Sequence, residues 1–268
     1  MLPLKFPPKK NDKDIKKFFQ KKGLGFLIKE SNSDERKVNI MQETDTLKPD
    51  LNDLYRLYQF IILNKRTTIL EFGSGWSSLV FSLALVELKK KYSNKIKKLR
   101  RNNPFELFIV ENYKRYLKIS KNRITKFYKT KSFQIKPKIH YLFTDVEMAL
   151  YNNKICTKYK KLPMCNPDFI YIDGPDQFNI KKNINGISTR HNDMMPMVSD
   201  VLSFEYFFTP GTIIVLDGRT ANALFLKDNF KRKWKYFNDK KNDQHIFLLD
   251  EQLLGEYNKR QINFYKNL

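Results

Sequence analysis

The sequence predicts an α/β protein built on a doubly wound, mostly parallel sheet that ends in an antiparallel hairpin. Through the middle of the chain, short apolar runs alternate with segments of helical periodicity. Near the end, two β-type runs at 233–239 and 243–251 are joined by a polar turn. A chain of 268 residues, of which 41% are hydrophobic, can bury one large core. Strands that alternate with helices form a parallel sheet covered on both faces, and the final hairpin closes it.

The individual elements follow from apolar spacing and from start signals. A first helix is predicted over 48–65, because Leu51, Leu54 and Tyr58 recur at helical spacing behind Asp50. Apolar strand segments are then predicted at 67–72, 105–111, 138–143, 168–173 and 211–217. Helices are predicted at 77–92, 112–124, 145–153 and 221–230, whereas the strand at 168–173 leads into a longer connection.

Composition divides the chain into three parts. Residues 1–48 are rich in Lys and Asn around short apolar pieces, which is typical of a basic N-terminal lead or cap. Residues 49–250 carry the alternating pattern of one domain, and residues 251–268 form a C-terminal tail. The charged insert 89–104 is expected to be a solvated helix extension and loop, with a nucleic-acid contact as the alternative.

The chain is strongly basic. It has 51 Lys and Arg against 28 Asp and Glu, a formal net charge of +23, which indicates a nucleic acid or another anionic partner. However, the lysines are scattered beside abundant Asn, Ile, Phe and Tyr, as an AT-rich coding bias would also produce. The charge therefore leaves the partner open.

Cysteines and apolar runs suggest where the protein resides. Cys156 and Cys165 are the two cysteines, and their surroundings lack the Cys and His spacing of a zinc site. Free thiols in a reducing compartment are expected. Since no apolar run has the length of a signal peptide or a membrane span, the sequence predicts a soluble, cytoplasmic protein.

A glycine turn after the first strand is the first feature with chemical meaning. Gly73 and Gly75 bring backbone close to a ligand, but a dinucleotide fingerprint would place its third glycine at Ser78. The Gly-Lys-Ser or Gly-Lys-Thr of a phosphate-binding loop is missing too. Glu71 at the strand end would repel a pyrophosphate on the helix N-terminus. The turn therefore favours a ligand that carries positive charge.

The pattern Glu-x-Gly-x-Gly-x-Ser from Glu71 to Ser77 resembles the first motif of class I S-adenosylmethionine-dependent methyltransferases. These enzymes have a Rossmann-like, seven-stranded sheet. The resemblance implies that the chain binds S-adenosylmethionine, whose sulfonium is positively charged, and that Glu71, Gly73, Gly75 and Ser77 contact this cofactor. Together, "LEFGSGW", "YIDGPD" and "VLDGRTAN" look like a bacterial branch of the superfamily.

Acids at the later strand ends extend the resemblance. Glu111 ends the second strand, where the family places an acid that binds the ribose hydroxyls; a carboxylate accepts two hydrogen bonds from a diol. Asp145 matches the family acid that meets the adenine amino group, with a helix N-cap as the alternative. Asp173 matches the acid that faces the methyl-transfer site. Four acids at successive strand ends support a methyltransferase more than one glycine pair does.

The residues after the fourth and fifth strands bear on the methyl acceptor. Enzymes that methylate the exocyclic amines of nucleic-acid bases resemble one another in an Asn- or Asp-Pro-Pro-Tyr motif directly after the fourth strand. Here Asp173 is followed by Gly-Pro-Asp instead, which counts against a base amine as the methyl acceptor. Asp173 and Asp217 resemble two ligands of a metal-dependent branch of O-methyltransferases and could hold Mg²⁺, although Gly218 replaces the third ligand. Arg219 either grips an acceptor anion or pairs with Asp217.

The sequence thus favours methyl transfer to a small-molecule or carbohydrate-type acceptor, at oxygen, with Asp173, Asp217 and Arg219 on the acceptor side. In the loop 183–196, His191 and Asp193 are further candidate proton acceptors, although an ordinary surface loop is the favoured interpretation for either residue alone. One alternative is an RNA or DNA methyltransferase that uses the basic surface. Another is a non-catalytic or nucleotide-sugar-binding protein on the same fold. The oligomeric state is left open.

Overall fold

The central sheet has seven strands and confirms the predicted fold class. The computed structural model describes residues 2, 4–32, 47–130, 133 and 135–266. The sheet contains β1 (Thr68–Phe72), β2 (Glu106–Glu111), β3 (Lys138–Phe143), β6 (Phe169–Ile172), β8 (Ile213–Asp217), β9 (Trp234–Asp239) and β10 (Gln244–Leu249). Their order is β3-β2-β1-β6-β8-β10-β9; β10 pairs antiparallel with both β8 and β9, and the other neighbouring strands of the described sheet are parallel. This is the Rossmann-like sheet with a C-terminal antiparallel hairpin.

The prediction of a helix at 145–153 is wrong. These residues form β4 (Val146–Tyr151), which pairs antiparallel with β5 (Lys154–Tyr159). Asn152 and Asn153 occupy the two-residue turn with φ of 48° and 61°, the left-handed values that this kind of hairpin turn requires. Burial alternates between Val146 and Met148 on one face and their neighbours on the other. The two-residue period therefore prevails over the helix propensity of Glu, Met, Ala and Leu in this segment.

Helices cover both faces of the sheet. They are α1 (Asp12–Lys21), α2 (Phe26–Ser31), α3 (Leu51–Asn64), α4 (Trp76–Ile96), α5 (Lys114–Thr130), α6 (Asp200–Ser203), α7 (Thr220–Asn229) and α8 (Gly255–Lys266). Asp50 caps α3 by accepting a hydrogen bond of 3.0 Å from the backbone N–H of Asp53. A short strand, β7 (Ile180–Lys181), adds to β4 and makes a small second sheet with β5.

Two apolar cores lie on opposite faces of the sheet. One contains Ile69 of β1 and residues of α3, α4 and α5, and the other contains Leu70 of β1 and residues of the β4–β5 hairpin, α6 and α7. Phe19 of α1 and Leu27 of α2 are fully buried in the first core. Because all five residues of β1 are buried, burial on both faces holds the turn after β1 in place. The division at residues 48 and 250 stays a prediction.

Candidate active site

The predicted acids meet at one edge of the sheet. Glu71, Glu111 and Asp217 are at or next to the carboxyl ends of β1, β2 and β8, and Asp173 directly follows β6. Since these strands are parallel, their ends share one edge, which is where doubly wound sheets bind ligands. The structure therefore brings together four residues that lie far apart in the sequence.

Glu71 is enclosed by the first turn of α4. Its side chain is buried, and its two carboxylate oxygens accept hydrogen bonds from Ser77 Oγ at 2.5 Å and Ser78 Oγ at 2.7 Å. Burial raises the pKa of Glu71 to about 8, while the two serine hydrogen bonds act in the opposite direction. A carboxyl group with that pKa is mostly protonated at neutral pH. The charge repulsion that the sequence predicts between Glu71 and phosphate is correspondingly weakened.

Ser78 has a structural role that sequence reasoning missed, because it was considered only as a missing glycine. Its hydroxyl donates to Glu71 and accepts a hydrogen bond of 3.2 Å from the Gly75 backbone N–H. The hydroxyl thus links the strand end to the first backbone N–H before α4. A carboxylate followed by two hydroxyls in the next helical turn was the available signal.

Gly73 and Gly174 bring the turns after β1 and β6 into backbone contact. Gly73 has φ of +97°, and a Cβ on it would lie 2.9 Å from the backbone nitrogen of Gly174. A Cβ on Gly174 would lie 2.6 Å from the backbone nitrogen of Gly73. Asp173 N also donates to Phe72 O at 2.9 Å, which ties the two turns together. Asp173 is therefore held beside the glycine turn, and Gly174 is a second residue that sequence reasoning did not single out.

Gly75 differs from Gly73 because the protein itself leaves room for a side chain there. Its φ is −164°, an extended value that any residue adopts. Among the described residues, the nearest atom to a Cβ at this position is Ser77 Oγ, at 3.7 Å, which is ordinary van der Waals contact. The open space beside Gly75 lies next to the strand-end acids and can admit a ligand close to the backbone.

Glu111 links the second strand end to the glycine turn. One carboxylate oxygen accepts hydrogen bonds from the backbone N–H groups of Asn112 and Tyr113, at 2.8 and 3.0 Å. The other accepts a hydrogen bond of 2.8 Å from Ser74 Oγ. Burial raises the pKa of Glu111 to about 7 against these hydrogen bonds. The backbone bonds fix the carboxylate orientation, and the oxygen that faces Ser74 is the one available to exchange its hydroxyl partner.

Asp145 lies between β3 and β4, at the same end of the sheet but farther toward solvent. Its side chain is half-buried, and its carboxylate contacts Lys160 Nζ at 3.4 Å. The neighbouring Thr144 N–H donates to Glu111 O at 3.0 Å. Asp145 precedes a strand, so the helix N-cap that the sequence left as an alternative is not formed.

Arg219 pairs with Asp173 rather than with Asp217. Its Nη2 donates to Asp173 O at 2.7 Å, and its Nε lies 3.8 Å from Asp173 Oδ1. The side chain of Arg219 is 12% exposed and that of Asp173 is 56% exposed. Nη1 of Arg219 has no hydrogen-bond partner among the described residues. The guanidinium therefore holds the Asp173 turn while keeping donors free beside an accessible carboxylate.

Asp217 and Asp53 form an acidic pair on the α3 side of the site. Asp217 Oδ2 accepts a hydrogen bond from Tyr171 Oη at 3.4 Å. Burial, followed by the charges of Asp53 and Asp173, raises the pKa of Asp217 to about 8. Burial and neighbouring acids likewise raise the pKa of Asp53 to about 7. Asp53 was predicted only as part of a helix start, and no local pattern in the sequence marks it as a site residue.

The metal alternative gains no third ligand. Across residues 2, 4–32, 47–130, 133 and 135–266, no group of three or more His, Cys, Asp or Glu is placed to hold a metal ion. Mg²⁺ usually takes only one or two carboxylates from a protein and keeps several waters, so Asp173 and Asp217 are the residues that would hold it. Metal dependence stays a prediction.

The histidines lie outside the acid cluster. His191 is exposed and its Nδ1 accepts a hydrogen bond of 3.2 Å from Asp193 N, within the loop between β7 and α6. His245 is buried, with Thr220 Oγ1 at 2.9 Å and Tyr236 Oη at 2.8 Å. Burial lowers the pKa of His245. His245 is thus a neutral, hydrogen-bonded core residue.

The chain is similar to solved structures of methyltransferases. One is the O-methyltransferase TomG from Streptomyces achromogenes, involved in tomaymycin synthesis and in complex with SAM (11% identity, 84% of this chain and 89% of that chain covered, TM-score 0.40). Another is the SAH-bound methyltransferase PaMTH1 from Podospora anserina (11% identity, 91% of this chain and 98% of that chain covered, TM-score 0.44). A third is an O-methyltransferase from Bacillus cereus in complex with SAH (12% identity, 90% of this chain and 92% of that chain covered, TM-score 0.39). No protein-family model and no curated protein matches the sequence.

Within the residues that the structure describes, none of the helices combines the length and the apolar character needed to cross a bilayer.

Proposed function

We propose that this protein is an S-adenosylmethionine-dependent methyltransferase that methylates an oxygen of a small-molecule or carbohydrate-type acceptor. The observation that carries the proposal is the placement of Glu71, Glu111, Asp173 and Asp217 at four parallel strand ends around a glycine turn. Doubly wound sheets bind their ligands at this edge.

The cofactor side of the site would be Gly73, Gly75, Ser77, Glu111 and Asp145, with Glu71 supporting the turn. Gly75 supports this assignment because a Cβ there meets only Ser77 Oγ at 3.7 Å, so the close approach of a ligand explains the glycine better than protein packing does. Glu111 would exchange the hydroxyl of Ser74 for those of a ribose. When bound, S-adenosylmethionine supplies an electrophilic methyl group on a positively charged sulfur.

The acceptor side would be Asp173, Asp217 and Arg219. A hydroxyl that attacks a methyl group must lose its proton, and a carboxylate of raised pKa is a stronger base than an ordinary one. Asp217, whose pKa is raised to about 8, suits this role once it is ionised. Arg219 keeps the Asp173 turn in place through its 2.7 Å hydrogen bond to Asp173 O. Its Nη1 is buried and has no partner among the described residues, and we expect it to donate to an anionic or hydroxylated acceptor that enters beside Asp173.

Isothermal titration calorimetry with S-adenosylmethionine tests the cofactor assignment. Wild type is expected to bind, and Glu111→Ala is expected to bind at least about tenfold more weakly, because a charged hydrogen-bond acceptor is lost. Glu256→Ala, an exposed position on α8, is the matched control and should bind like wild type. Absence of binding by folded wild-type protein, or an unchanged affinity in Glu111→Ala, would contradict the proposal. A screen of hydroxylated sugars and acids for uptake of labelled methyl groups then addresses the acceptor.

The net charge of +23 keeps an RNA or DNA acceptor as a second candidate. It predicts a nucleic-acid affinity that falls steeply with salt and a dependence of methyl transfer on added RNA or DNA.

The enclosure of Glu71 removes one argument against phosphate, so a nucleotide-sugar at residues 73–77 is the third candidate. Titration of nucleoside diphosphate sugars in the same calorimetric experiment distinguishes it.

A further inference from the structure

A large cavity lies at the edge of the sheet opposite the candidate active site. Its volume is about 880 Å³, and it is formed by the segments that precede β2, β6 and β8, together with the start of α8. Apart from Leu70 within β1, the lining segments lie at the amino-terminal ends of the parallel strands, whereas the predicted acids lie at the carboxyl ends. The cavity is therefore distinct from the proposed cofactor and acceptor sites, and a cavity of this size holds a small ligand.

The cavity wall is largely apolar, and several of its apolar side chains are exposed to solvent at the cavity mouth. Phe204 and Phe208 line the cavity, and Phe207, also on its wall, is 78% exposed. Met164 on the opposite side is 96% exposed and Leu254 is 55% exposed. Contiguous exposed apolar side chains of this size mark a binding surface, because covering them removes unfavourable hydration.

The polar part of the wall carries excess positive charge. Arg101 lines the cavity with a side chain that is 6% exposed, and it donates to Thr68 Oγ1 at 2.6 Å and Asn166 O at 2.9 Å. Behind it, Arg66 is fully buried, and none of its guanidinium nitrogens has a hydrogen-bond partner among the described residues. Arg66 stacks on the ring of Tyr265 at 3.8 Å. Arg66 and Arg101 both interact with the single carboxylate of Asp168, so the two guanidinium groups leave a net positive field behind the cavity wall.

The nearby acids do not neutralise this field. Asp168 lies 3.5 Å from Arg101 but also accepts hydrogen bonds from the backbone and hydroxyl of Thr67, the backbone of Thr68 and the hydroxyl of Tyr265. One carboxylate is thus shared between two guanidinium groups and four neutral donors. Glu106 is paired with Lys138 at 2.8 Å. At the rim, the exposed Arg100 lies over the ring of Tyr257 at 5.3 Å and adds a third guanidinium.

We propose that this cavity binds a small anionic amphiphile, with an apolar body against Phe204, Phe207 and Phe208 and a carboxylate or similar anion facing Arg100 and Arg101. An apolar wall alone would accept neutral molecules, whereas the unbalanced guanidinium groups select for negative charge. The ligand is taken up as a monomer from solution, because a pocket of this size buries most of the surface of a small ligand. This binding requires neither the cofactor nor methyl transfer.

Calorimetric titration of the full chain with dodecanoate, below its micellar concentration, tests the proposal. Dodecanoate is expected to bind saturably, and dodecyltrimethylammonium, which has the same chain and the opposite charge, at least about tenfold more weakly. Arg100→Gln should weaken dodecanoate binding by about threefold and leave the binding of the neutral decanol unchanged, because only an exposed charge is removed. Arg260→Gln, on the exposed side of α8, is the charge-matched control and should have no effect.

Steric variants locate the ligand. Ser203→Trp and Asn102→Trp each place an indole on the cavity wall at an exposed position, and both are expected to reduce dodecanoate affinity while melting like wild type. Saturation with S-adenosylhomocysteine should leave the dodecanoate affinity unchanged, whether or not that nucleoside binds. Absence of dodecanoate binding, equal affinity for the anionic and cationic chains, or wild-type affinity in both tryptophan variants would overturn the proposal. Uptake only from phosphatidylglycerol vesicles would also overturn it, since it would indicate membrane contact.

Discussion

Gly73 and Gly174 lie so close together that neither position can carry a side chain without moving backbone. A Cβ on Gly174 would lie 2.6 Å from the backbone nitrogen of Gly73 and 2.9 Å from Phe72 C. These atoms belong to two strand-end turns that are also joined by the hydrogen bond from Asp173 N to Phe72 O at 2.9 Å. The spacing between the two turns, and with it the position of Asp173 beside the glycine turn, depends on this contact.

Gly174→Ala is therefore expected to lower the free energy of unfolding by about 1–3 kcal/mol, the usual cost of forcing a methyl group into a packed region. Urea denaturation measures the effect. Gly25→Ala is the matched control, since its φ is −58° and the nearest atom to a new Cβ lies 3.7 Å away. The control should change stability by less than about 0.5 kcal/mol. Equal stability of both variants would contradict the close packing of the turns.

A methyl group at Gly75 should leave the stability of the protein unchanged but weaken its binding of S-adenosylmethionine. We expect Gly75→Ala to unfold like wild type, because the new Cβ meets only Ser77 Oγ at 3.7 Å. Its affinity for S-adenosylmethionine should fall at least about tenfold, since the methyl group occupies the space proposed for the ligand. Calorimetry and thermal denaturation measure the two effects separately. A stable variant with unchanged affinity would move the cofactor away from this turn.

Stability should decline as the pH rises between about 5 and 8. The pKa of Glu71 rises from 4.5 in the unfolded chain to about 8 in the folded one, so in this range the folded state holds a proton that the unfolded state has released. Each such group lowers the free energy of unfolding by up to about 1.4 kcal/mol per pH unit, and Glu111 acts in the same direction up to about pH 7.

Glu71→Gln removes one titrating group and should make this decline shallower, as measured by urea denaturation at several pH values. Glu147→Gln is the control. The pKa of Glu147 is lowered by hydrogen bonds from Lys160 and Lys182, so its removal should leave the decline between pH 5 and 8 in place. A Glu71→Gln profile that parallels wild type would show that Glu71 is ionised in the folded protein.

The proposed role of Asp217 predicts a pH-dependent methyl-transfer rate. A proton acceptor with a pKa of about 8 becomes active as it ionises, so the rate should rise with pH up to about 8 and then level off. Asp217→Asn should lower the rate by about 100-fold or more and abolish the rise, while cofactor affinity changes little. Asp193→Asn, in the exposed part of the β7–α6 loop, should keep the wild-type profile. Retention of the rise in Asp217→Asn would assign the titration to another group.

The central sheet could be predicted from the sequence because its signals are local. The strand runs of β1, β2, β6 and β8 are continuous apolar segments, as buried parallel strands require. Glu71, Glu111, Asp173 and Asp217 could be located because a strand end is readable where an apolar run stops. The helix predicted at 145–153 failed because its residues favour a helix locally, whereas pairing with the distant β7 and packing on the sheet select β4 and β5.

The sequence by itself determined the fold class, the order of strands and helices in most of the chain, and the strand ends where the candidate site lies. Periodicity and burial are properties of neighbouring residues, and they suffice for this. The tertiary structure alone decided that Arg219 pairs with Asp173, that Gly174 packs on Gly73, and that Asp53 joins Asp217. It also decided that Arg66 lies buried behind the cavity at the opposite edge, with no hydrogen-bond partner for its guanidinium among the described residues. The three pairings join residues that are 46, 101 and 164 positions apart in the chain. Their geometry arises only when the packed sheet brings those distant segments close to one another.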